Sequence, residues 1–143
     1  MPIEFDLVLL AITVWGEARG ESDKGKLAVA WVICNRMRRQ GSRISHIVLK
    51  PWQFSFWNTE DPSRWKISDI DPMSATWLGC EAAARGALYM SQPDPTNGAE
   101  FYMNVDLVRR QHGGTLPKWW ATDTSPNGEV KIGEHTFRKR LGA

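Results

Sequence analysis

The stretch that most constrains the fold is an apolar run that leads directly to a single carboxylate, Glu17. The run is too long for a typical strand and contains no Pro or Gly, so it predicts a buried helix. Its apolar residues are Leu7, Val8, Leu9, Leu10, Ala11, Ile12, Val14 and Trp15. The chain then turns at Arg19 and Gly20, and a second helix, rich in small residues, is expected to begin behind Ser22. These two helices are expected to hold Glu17 in apolar surroundings.

Glu17 is the candidate catalytic acid. Burial disfavours the ionised form of a carboxyl group and raises its pKa, which makes a glutamic acid usable as a proton donor near neutral pH. We therefore expect Glu17 to titrate above the ordinary glutamate value of about 4.3. The alternative is a solvated charge at a helix end, paired with Arg19 or Arg36.

Helices dominate the rest of the pattern. The first helix is expected to start at an Asp6 cap and to continue to about Ala18. The second ends near Arg39 because Gly41 terminates it. A short third helix follows and stops before Pro51. A fourth covers residues 74–90, with Asp71 or Ser74 as its cap.

The last third of the chain predicts a small β element. Residues 99–104 form a short strand after a strong turn signal at 93–98, and residues 130–137 form a hairpin that turns at Gly133 and Glu134. A loop is expected around Trp119 and Trp120. The fold class is therefore α+β, mostly α, with a small late β-sheet.

Length and charge limit the classes of function. The 143 residues predict one domain, 1–143, and a net charge of +2 argues against a dedicated nucleic-acid binder. No segment is long enough to span a bilayer, so we expect no stable membrane insertion. Cys34 and Cys80 are expected to be buried free thiols, and two cysteines cannot build a zinc site alone. We expect no metal and no cofactor.

An ordered series of motifs is similar to the signature of the SleB/CwlJ-type cell wall hydrolases, which include spore cortex-lytic enzymes and phage lysins. The first motif is Glu-Ala-Arg-Gly-Glu at residues 17–21. The later matches are Gly25, residues 28–30, 32–33, 35–36, 53–55, 94–99, 101–104, Trp119 and residues 133–137. The sequence departs from the pattern at Ser22, at Val105 and in a longer, more basic segment at 107–117.

The resemblance implies a lysozyme-like domain that acts on peptidoglycan, with Glu17 as catalytic acid. It favours a lytic transglycosylase, which needs one acid and yields 1,6-anhydro-N-acetylmuramic acid ends at the β-1,4 bond to N-acetylglucosamine. Ordinary glycosidases use a second carboxylate. The alternatives are a hydrolytic muramidase or N-acetylglucosaminidase, and, in another class, a non-catalytic wall-binding or virion protein.

Seven further residues are candidates for substrate binding. Gln53 and Ser55 are expected to hydrogen-bond N-acetyl groups. Phe54 and Trp57 either flank sugar rings or pack their long aromatic loop against the core. Tyr102 and Asn104, on the short strand, and Trp119 complete the set, which is Gln53, Phe54, Ser55, Trp57, Tyr102, Asn104 and Trp119.

The resemblance also suggests a biological setting. Residues 1–6 carry no basic signal region, and we expect a phage endolysin made in the host cytoplasm and released to the wall through a holin-type pore. Its partner is the peptidoglycan glycan strand, and we expect a monomer. His46, His112 and His135 are too widely spaced to suggest a metal site.

Overall fold

The computed structural model describes residues 3–51, 53–57 and 67–142, apart from the side chains of Ile3 and Ser55. Six α-helices, a short 3-10 turn and three strands follow one another in the described chain. Their bounds are α1 Ile3–Ala18, α2 Asp23–Gln40, α3 Ile44–Val48, the 3-10 turn Ser55–Trp57, α4 Ala75–Leu88, β1 Phe101–Met103, α5 Val105–Gln111, α6 Lys118–Asp123, β2 Thr124–Ile132 and β3 His135–Arg140. The expected α+β architecture, mostly α, is confirmed.

The core is formed where α1, α2 and α4 pack against one another. Leu10 and Val14 of α1 and Val32 and Ile33 of α2 are completely buried. The alanines of α2 and α4 carry small side chains at this interface, which lets the helix backbones approach closely. The apolar run of α1 is therefore central, as expected, although Phe5 and Val8 remain half exposed.

The caps of α2 and α4 agree with the sequence. The Ser22 side chain accepts a hydrogen bond from the Gly25 N–H at 3.1 Å, and Gly41 ends α2 with a left-handed φ of 61°. Ser74 rather than Asp71 caps α4, because its hydroxyl accepts from the Trp77 N–H. Asp6, in contrast, does not cap α1. It lies inside the helix, where its carboxylate pairs with Arg43 at 2.9 Å.

The three strands form one antiparallel sheet in the order β1-β3-β2. The hairpin of β2 and β3 turns at Gly133 and Glu134, as predicted. Tyr102 lies opposite Phe137 in the β1-β3 pairing. The expected loop around Trp119 is wrong, since those residues form α6, and α5 was not predicted.

A turn centred on Asp94 joins α4 to β1 and fixes that strand against α2. The Asp94 carboxylate accepts from the backbone of Thr96 and Gly98 at 2.8 and 3.0 Å. Asn35 of α2 donates to both Asp94 and the Ala99 carbonyl, each at 3.0 Å. These contacts give the 94–99 motif a structural role, because they determine where β1 begins.

Two further findings concern the described part of the chain. Cys34 and Cys80 are buried free thiols, as expected. No helix within the described ranges is long and apolar enough to cross a bilayer.

Candidate active site

A groove of about 930 Å³ runs between the end of α1, the 53–57 segment, β1 and α6. It brings together six of the eight residues predicted for the site, which are Glu17, Gln53, Phe54, Tyr102, Asn104 and Trp119. These residues are separated by up to 102 positions in the sequence, so the fold rather than local spacing assembles them. We refer to this feature as the groove.

Glu17 lies at the C-terminal end of α1, half-buried at the side of the groove. The backbone N–H of Phe56 donates to its Oε1 at 3.2 Å. This bond favours one carboxyl orientation and stabilises the ionised form of the carboxyl group. The raised pKa expected for Glu17 stays a prediction.

Gly16 allows the Phe56 backbone to come this close. The Phe56 ring lies on α1 at the position where any other residue would carry its Cβ, which would be 2.2 Å from the ring. Phe56 is almost fully buried and meets Trp15 and Trp57 edge to face. The packing of one aromatic ring on a glycine thus sets the position of the hydrogen-bond donor to Glu17.

Arg19 contacts the backbone at the end of α1. Its guanidinium folds back and donates to the carbonyls of Trp15 and Gly16 at 3.2 and 3.3 Å. It also lies 4.4 Å from the centre of the Trp15 ring. Arg19 therefore satisfies carbonyl groups that the end of α1 leaves without helical partners.

Tyr102 lines the groove and interacts electrostatically with Glu17. Burial raises the pKa of its hydroxyl well above the ordinary value, and the negative charge of Glu17 raises that pKa further. The hydroxyl consequently remains protonated throughout the neutral range. Tyr102 can therefore act as a hydrogen-bond donor toward a substrate in the groove.

Glu21 and His135 form a second polar element beside Tyr102. His135 Nδ1 and Glu21 Oε1 are 2.6 Å apart, and the His135 ring meets the Tyr102 ring edge to face at 5.3 Å. The sequence analysis included neither Glu21 nor His135 in the predicted site. The structure places His135 in the groove and ties Glu21 to it.

Asn104 combines two contacts at the start of α5. Its side-chain oxygen accepts from the Leu107 N–H at 3.0 Å, which caps α5, and its amide donates to Glu134 at 3.3 Å. Phe54 is buried yet forms part of the groove surface. Trp119 is 39% exposed and its ring lies 5.8 Å from that of Phe101. Trp119 therefore provides a face on which a sugar ring can stack, whereas Phe54, at 3% exposure, mainly packs against the core.

Two predicted residues stand apart from this set. Trp57 does not line the groove, because its indole N–H donates to Thr13 of α1 at 2.8 Å and its ring packs on Phe56. The core-packing alternative therefore applies to Trp57, and a sugar contact for it is not supported. The side chain of Ser55 lies outside the described residues.

The sequence analysis did not predict the eight other residues that line the groove, which are Arg36, Phe101, Met103, Val108, His112, Pro117, Asp123 and His135. Arg36 donates through Nε to the Glu100 carbonyl at 2.6 Å and through its terminal nitrogen to Gln53 at 2.9 Å. Burial lowers the pKa of Arg36 below the ordinary arginine value. No sequence signal marks Asp123, which reaches the groove because residues 118–123 form a helix.

The described residues offer no group of three or more His, Cys, Asp or Glu side chains suited to hold a metal ion. The chemistry that the groove can support on its own residues is proton transfer by Glu17, with hydrogen-bond donation from Tyr102 and Arg36. A groove of this volume with a carboxyl group at its side suits acid-assisted cleavage of a glycosidic bond.

The structure is similar to two solved catalytic domains. One is described as the catalytic domain of the germination-specific lytic transglycosylase SleB from Bacillus anthracis, with a TM-score of 0.63 and 28% identity over 94% of this chain and 93% of that domain. The other is the catalytic domain of the Bacillus cereus SleB protein, with a TM-score of 0.63 and 29% identity over 94% and 89%. The shared architecture extends across almost the entire chain.

The chain is also similar in sequence to spore cortex-lytic enzymes. A spore cortex-lytic enzyme of Halalkalibacterium halodurans is 33% identical over 107 residues, covering 72% of this chain and 28% of that protein. One from Oceanobacillus iheyensis is 30% identical over 139 residues, covering 94% and 41%. The chain thus spans less than half the length of these relatives.

A family model described as Cell Wall Hydrolase matches residues 20–138. The match begins after Glu17, so the role of that residue rests on the geometry of the groove and not on the family model. It nevertheless covers most of the chain, including the groove residues from Arg36 to His135. This chain belongs to the cell wall hydrolase family.

Proposed function

We propose that the protein is a peptidoglycan lytic transglycosylase that cleaves the β-1,4 bond between N-acetylmuramic acid and N-acetylglucosamine with Glu17 as its catalytic acid. The observation that carries this proposal is the position of Glu17 at the side of a groove of about 930 Å³, where its carboxyl group accepts a hydrogen bond from the Phe56 N–H. The similarity to the SleB catalytic domain, whose description names a lytic transglycosylase, supports the same reaction class.

The reaction would proceed in two proton transfers at one carboxyl group. Glu17 donates its proton to the glycosidic oxygen as the bond to C1 of the muramic ring breaks. The resulting carboxylate, stabilised by Phe56 N–H, then accepts the proton of the C6 hydroxyl as that oxygen attacks C1. The products are a free C4 hydroxyl on the leaving sugar and a 1,6-anhydro ring, and water is not consumed.

The other groove donors would orient the substrate during these steps. Tyr102 keeps its hydroxyl proton because burial and Glu17 raise its pKa, so it can donate to an N-acetyl or ring substituent. Trp119, exposed beside Phe101, would stack on a sugar ring farther along the strand.

A hydrolytic muramidase or glucosaminidase is the second candidate, and one observation favours it. Asp123 also lines the groove, and hydrolytic glycosidases pair a general acid with a second carboxylate. Asp123, however, is exposed at the end of α6, and Glu21 is bound to His135 at 2.6 Å. One of these carboxylates is exposed and the other is already ion-paired, so neither is a well-positioned second catalytic group, and the single-acid route is the better supported one.

The test is product analysis on purified sacculi. The wild-type protein should release fragments with 1,6-anhydro ends, which mass spectrometry separates from reducing ends by the mass of one water. Glu17→Gln should fold normally and lose activity by about 10²-fold or more, the usual contribution of a general acid. Glu81→Gln, on the exposed surface of α4, is the matched control and should keep wild-type activity.

Each alternative makes a different prediction in the same assay. If the protein released fragments with reducing ends and Asp123→Asn were inactive, the protein would be a hydrolase and not a lytic transglycosylase. A Glu17→Gln variant that clears cell walls as well as the wild type would indicate a non-catalytic wall-binding or virion protein.

We extend the proposal to the biological setting, a phage or prophage endolysin that works as a monomer. It would be made in the bacterial cytoplasm and would reach the wall when a holin-type pore opens the membrane. Expression of the protein inside bacteria should then cause lysis only after the membrane is permeabilised. Lysis without permeabilisation would contradict this route, and light scattering of the purified protein would test the monomer.

A further inference from the structure

A second, smaller cavity of about 200 Å³ continues the groove at the C-terminal end of α2. It shares Arg36, Gln53, Phe101 and Asp123 with the groove, so a ligand can pass from one to the other along the same surface. Its volume suits a substituent of a sugar rather than a further disaccharide. We call this cavity the basic pocket.

The basic pocket carries an excess of positive charge. Three permanent cations line it, those of Arg36, Lys50 and Arg140, against the single carboxylate of Asp123. His46 also faces the cavity and adds charge when it is protonated. Lys50 and His46 are exposed at and after α3, so their charges are accessible to a ligand.

The buried carboxylate of Glu100 neutralises only part of this positive charge, because it is shared with Arg39 outside the pocket. Glu100 pairs with Arg39 at 2.5 Å and lies 3.7 Å from Arg140 Nε, so one carboxylate serves two guanidinium groups. Arg140 Nε is buried and makes no hydrogen bond within the described chain. The guanidinium groups of Arg36 and Arg140 both lie near the Phe101 ring, at 5.0 and 5.3 Å, which fixes them at the mouth of the pocket.

Cations at fixed positions beside a glycan groove are suited to bind an anionic group on the substrate. In peptidoglycan the muramic ring carries a stem peptide on its lactyl group, and that peptide has free carboxylates. We propose that the basic pocket binds a stem-peptide carboxylate and thereby directs the enzyme to peptide-substituted muramic residues. This inference rests on the proposed function of the groove and identifies the form of the substrate.

A wall teichoic acid phosphate is the competing anion, but the pocket favours the peptide. The cavity adjoins the groove through four shared residues, and the side-chain amides of Gln40 and Gln53 line it together with the cations. Amide groups suit the N–H and C=O groups of a peptide, whereas a polyphosphate would call for charge alone.

The first experiment varies the substrate. Gram-positive sacculi are prepared in three forms: untreated, amidated with carbodiimide and ammonia so that stem carboxylates become neutral, and treated with hydrofluoric acid to remove teichoic acid phosphate. Amidation should lower the wild-type kcat/KM by about two- to five-fold at low salt, the range of one exposed ion pair, and added salt should shrink the difference. Equal cleavage of untreated and amidated sacculi would overturn the proposal, and so would a loss that follows phosphate removal instead.

The second experiment varies the protein on the same substrates. The kcat/KM of Lys50→Gln on untreated sacculi should fall below that of the wild type by a similar factor, and amidation should then lower it little further. Lys50→Arg should restore the preference for untreated over amidated sacculi. Lys24→Gln is the matched control because Lys24 is exposed on α2 about 18 Å along the helix axis from Arg36, at 1.5 Å per residue. A Lys50→Gln variant that discriminates as strongly as the wild type would contradict the assignment.

A binding measurement separates this proposal from the catalytic one. Glu17→Gln is mixed with untreated and amidated sacculi, and the bound fraction is measured by co-sedimentation. Carboxylate-dependent binding supports the basic pocket even if the wild type releases no glycan fragments, which would refute only the proposed reaction. A bound fraction that does not change on amidation would contradict the proposed role of the basic pocket and would leave the proposed reaction unaffected.

Discussion

The contact between Gly16 and Phe56 offers the sharpest test of how the fold positions the acid. A Cβ at residue 16 would lie 2.2 to 2.6 Å from three atoms of the Phe56 ring, whereas ordinary carbon contacts are about 3.5–4.0 Å. The ring must therefore move by roughly 1 Å or more in Gly16→Ala. Phe56 is 1% exposed, so there is little open space to receive the displaced ring.

Two opposing terms determine the stability of Gly16→Ala. Replacing glycine by alanine within a helix gains about 0.5–1 kcal/mol, while forcing extra volume into a packed core costs about 1–3 kcal/mol. The overlap involves ring carbons of a buried aromatic residue rather than a flexible chain end, so the cost should prevail. We expect a net loss of about 1–2 kcal/mol in the free energy of unfolding, measured by urea denaturation.

Activity should fall further than stability alone explains. Movement of Phe56 draws its N–H away from Glu17, to which it now donates at 3.2 Å, and misplacement of a catalytic group by 1 Å can cost on the order of 10²-fold in rate. Sacculus cleavage is therefore expected to drop by about 10- to 100-fold at a temperature where Gly16→Ala is still folded.

The chain provides both a control and a rescue for this experiment. Gly20→Ala introduces the same methyl group where no atom lies within 4 Å, so it should keep wild-type activity. A second substitution, Phe56→Leu, frees space and should recover part of the loss in the Gly16→Ala background, a non-additive result expected of residues in contact. If Gly16→Ala matches Gly20→Ala in both stability and activity, the ring does not position the acid.

The remaining predictions concern the pH response, two tryptophans and the thiols. Because burial raises the pKa of Tyr102, unfolding releases its proton once the pH exceeds the unfolded value of about 10. Wild-type stability, measured by urea midpoints, should therefore fall more between pH 9 and 11 than that of Tyr102→Phe; equal losses would refute the buried hydroxyl. Trp119→Ala should raise KM for sacculi with little change in stability, whereas Trp57→Phe should lower stability by about 1 kcal/mol and leave KM unchanged. Burial raises the pKa of Cys34 to about 12 and that of Cys80 to about 11, so neither thiol should react with Ellman's reagent at pH 8 until urea unfolds the protein.

The sequence predicted those elements whose signals are local. The apolar run of α1, the Ser22 cap, the Gly41 stop and the turn at residues 133–134 each depend on a few neighbouring residues, and all four are present. The pattern around Trp119 failed because the preceding glycines suggested a loop, while the tertiary contacts of Trp120, which is 3% exposed, stabilise a short helix.

The site was predictable only where a motif marked it. Glu17 and Tyr102 lie within motifs, and the structure brings them into one groove. For Trp57 the sequence left two interpretations open, because composition does not distinguish a ring that stacks on sugars from one that packs on the core and hydrogen-bonds Thr13. Asp123 and the basic pocket left no local signal, since Lys50 and Arg140 are 90 positions apart and meet only through packing.

The strand order β1-β3-β2 places the last strand in the middle of the sheet. Until residues 135–140 have left the ribosome, β1 has no neighbour and His135 cannot complete the groove. A nascent or prematurely terminated chain therefore has Glu17 but an incomplete groove around it. If the groove acts as proposed, copies that lack β3 should not cleave peptidoglycan.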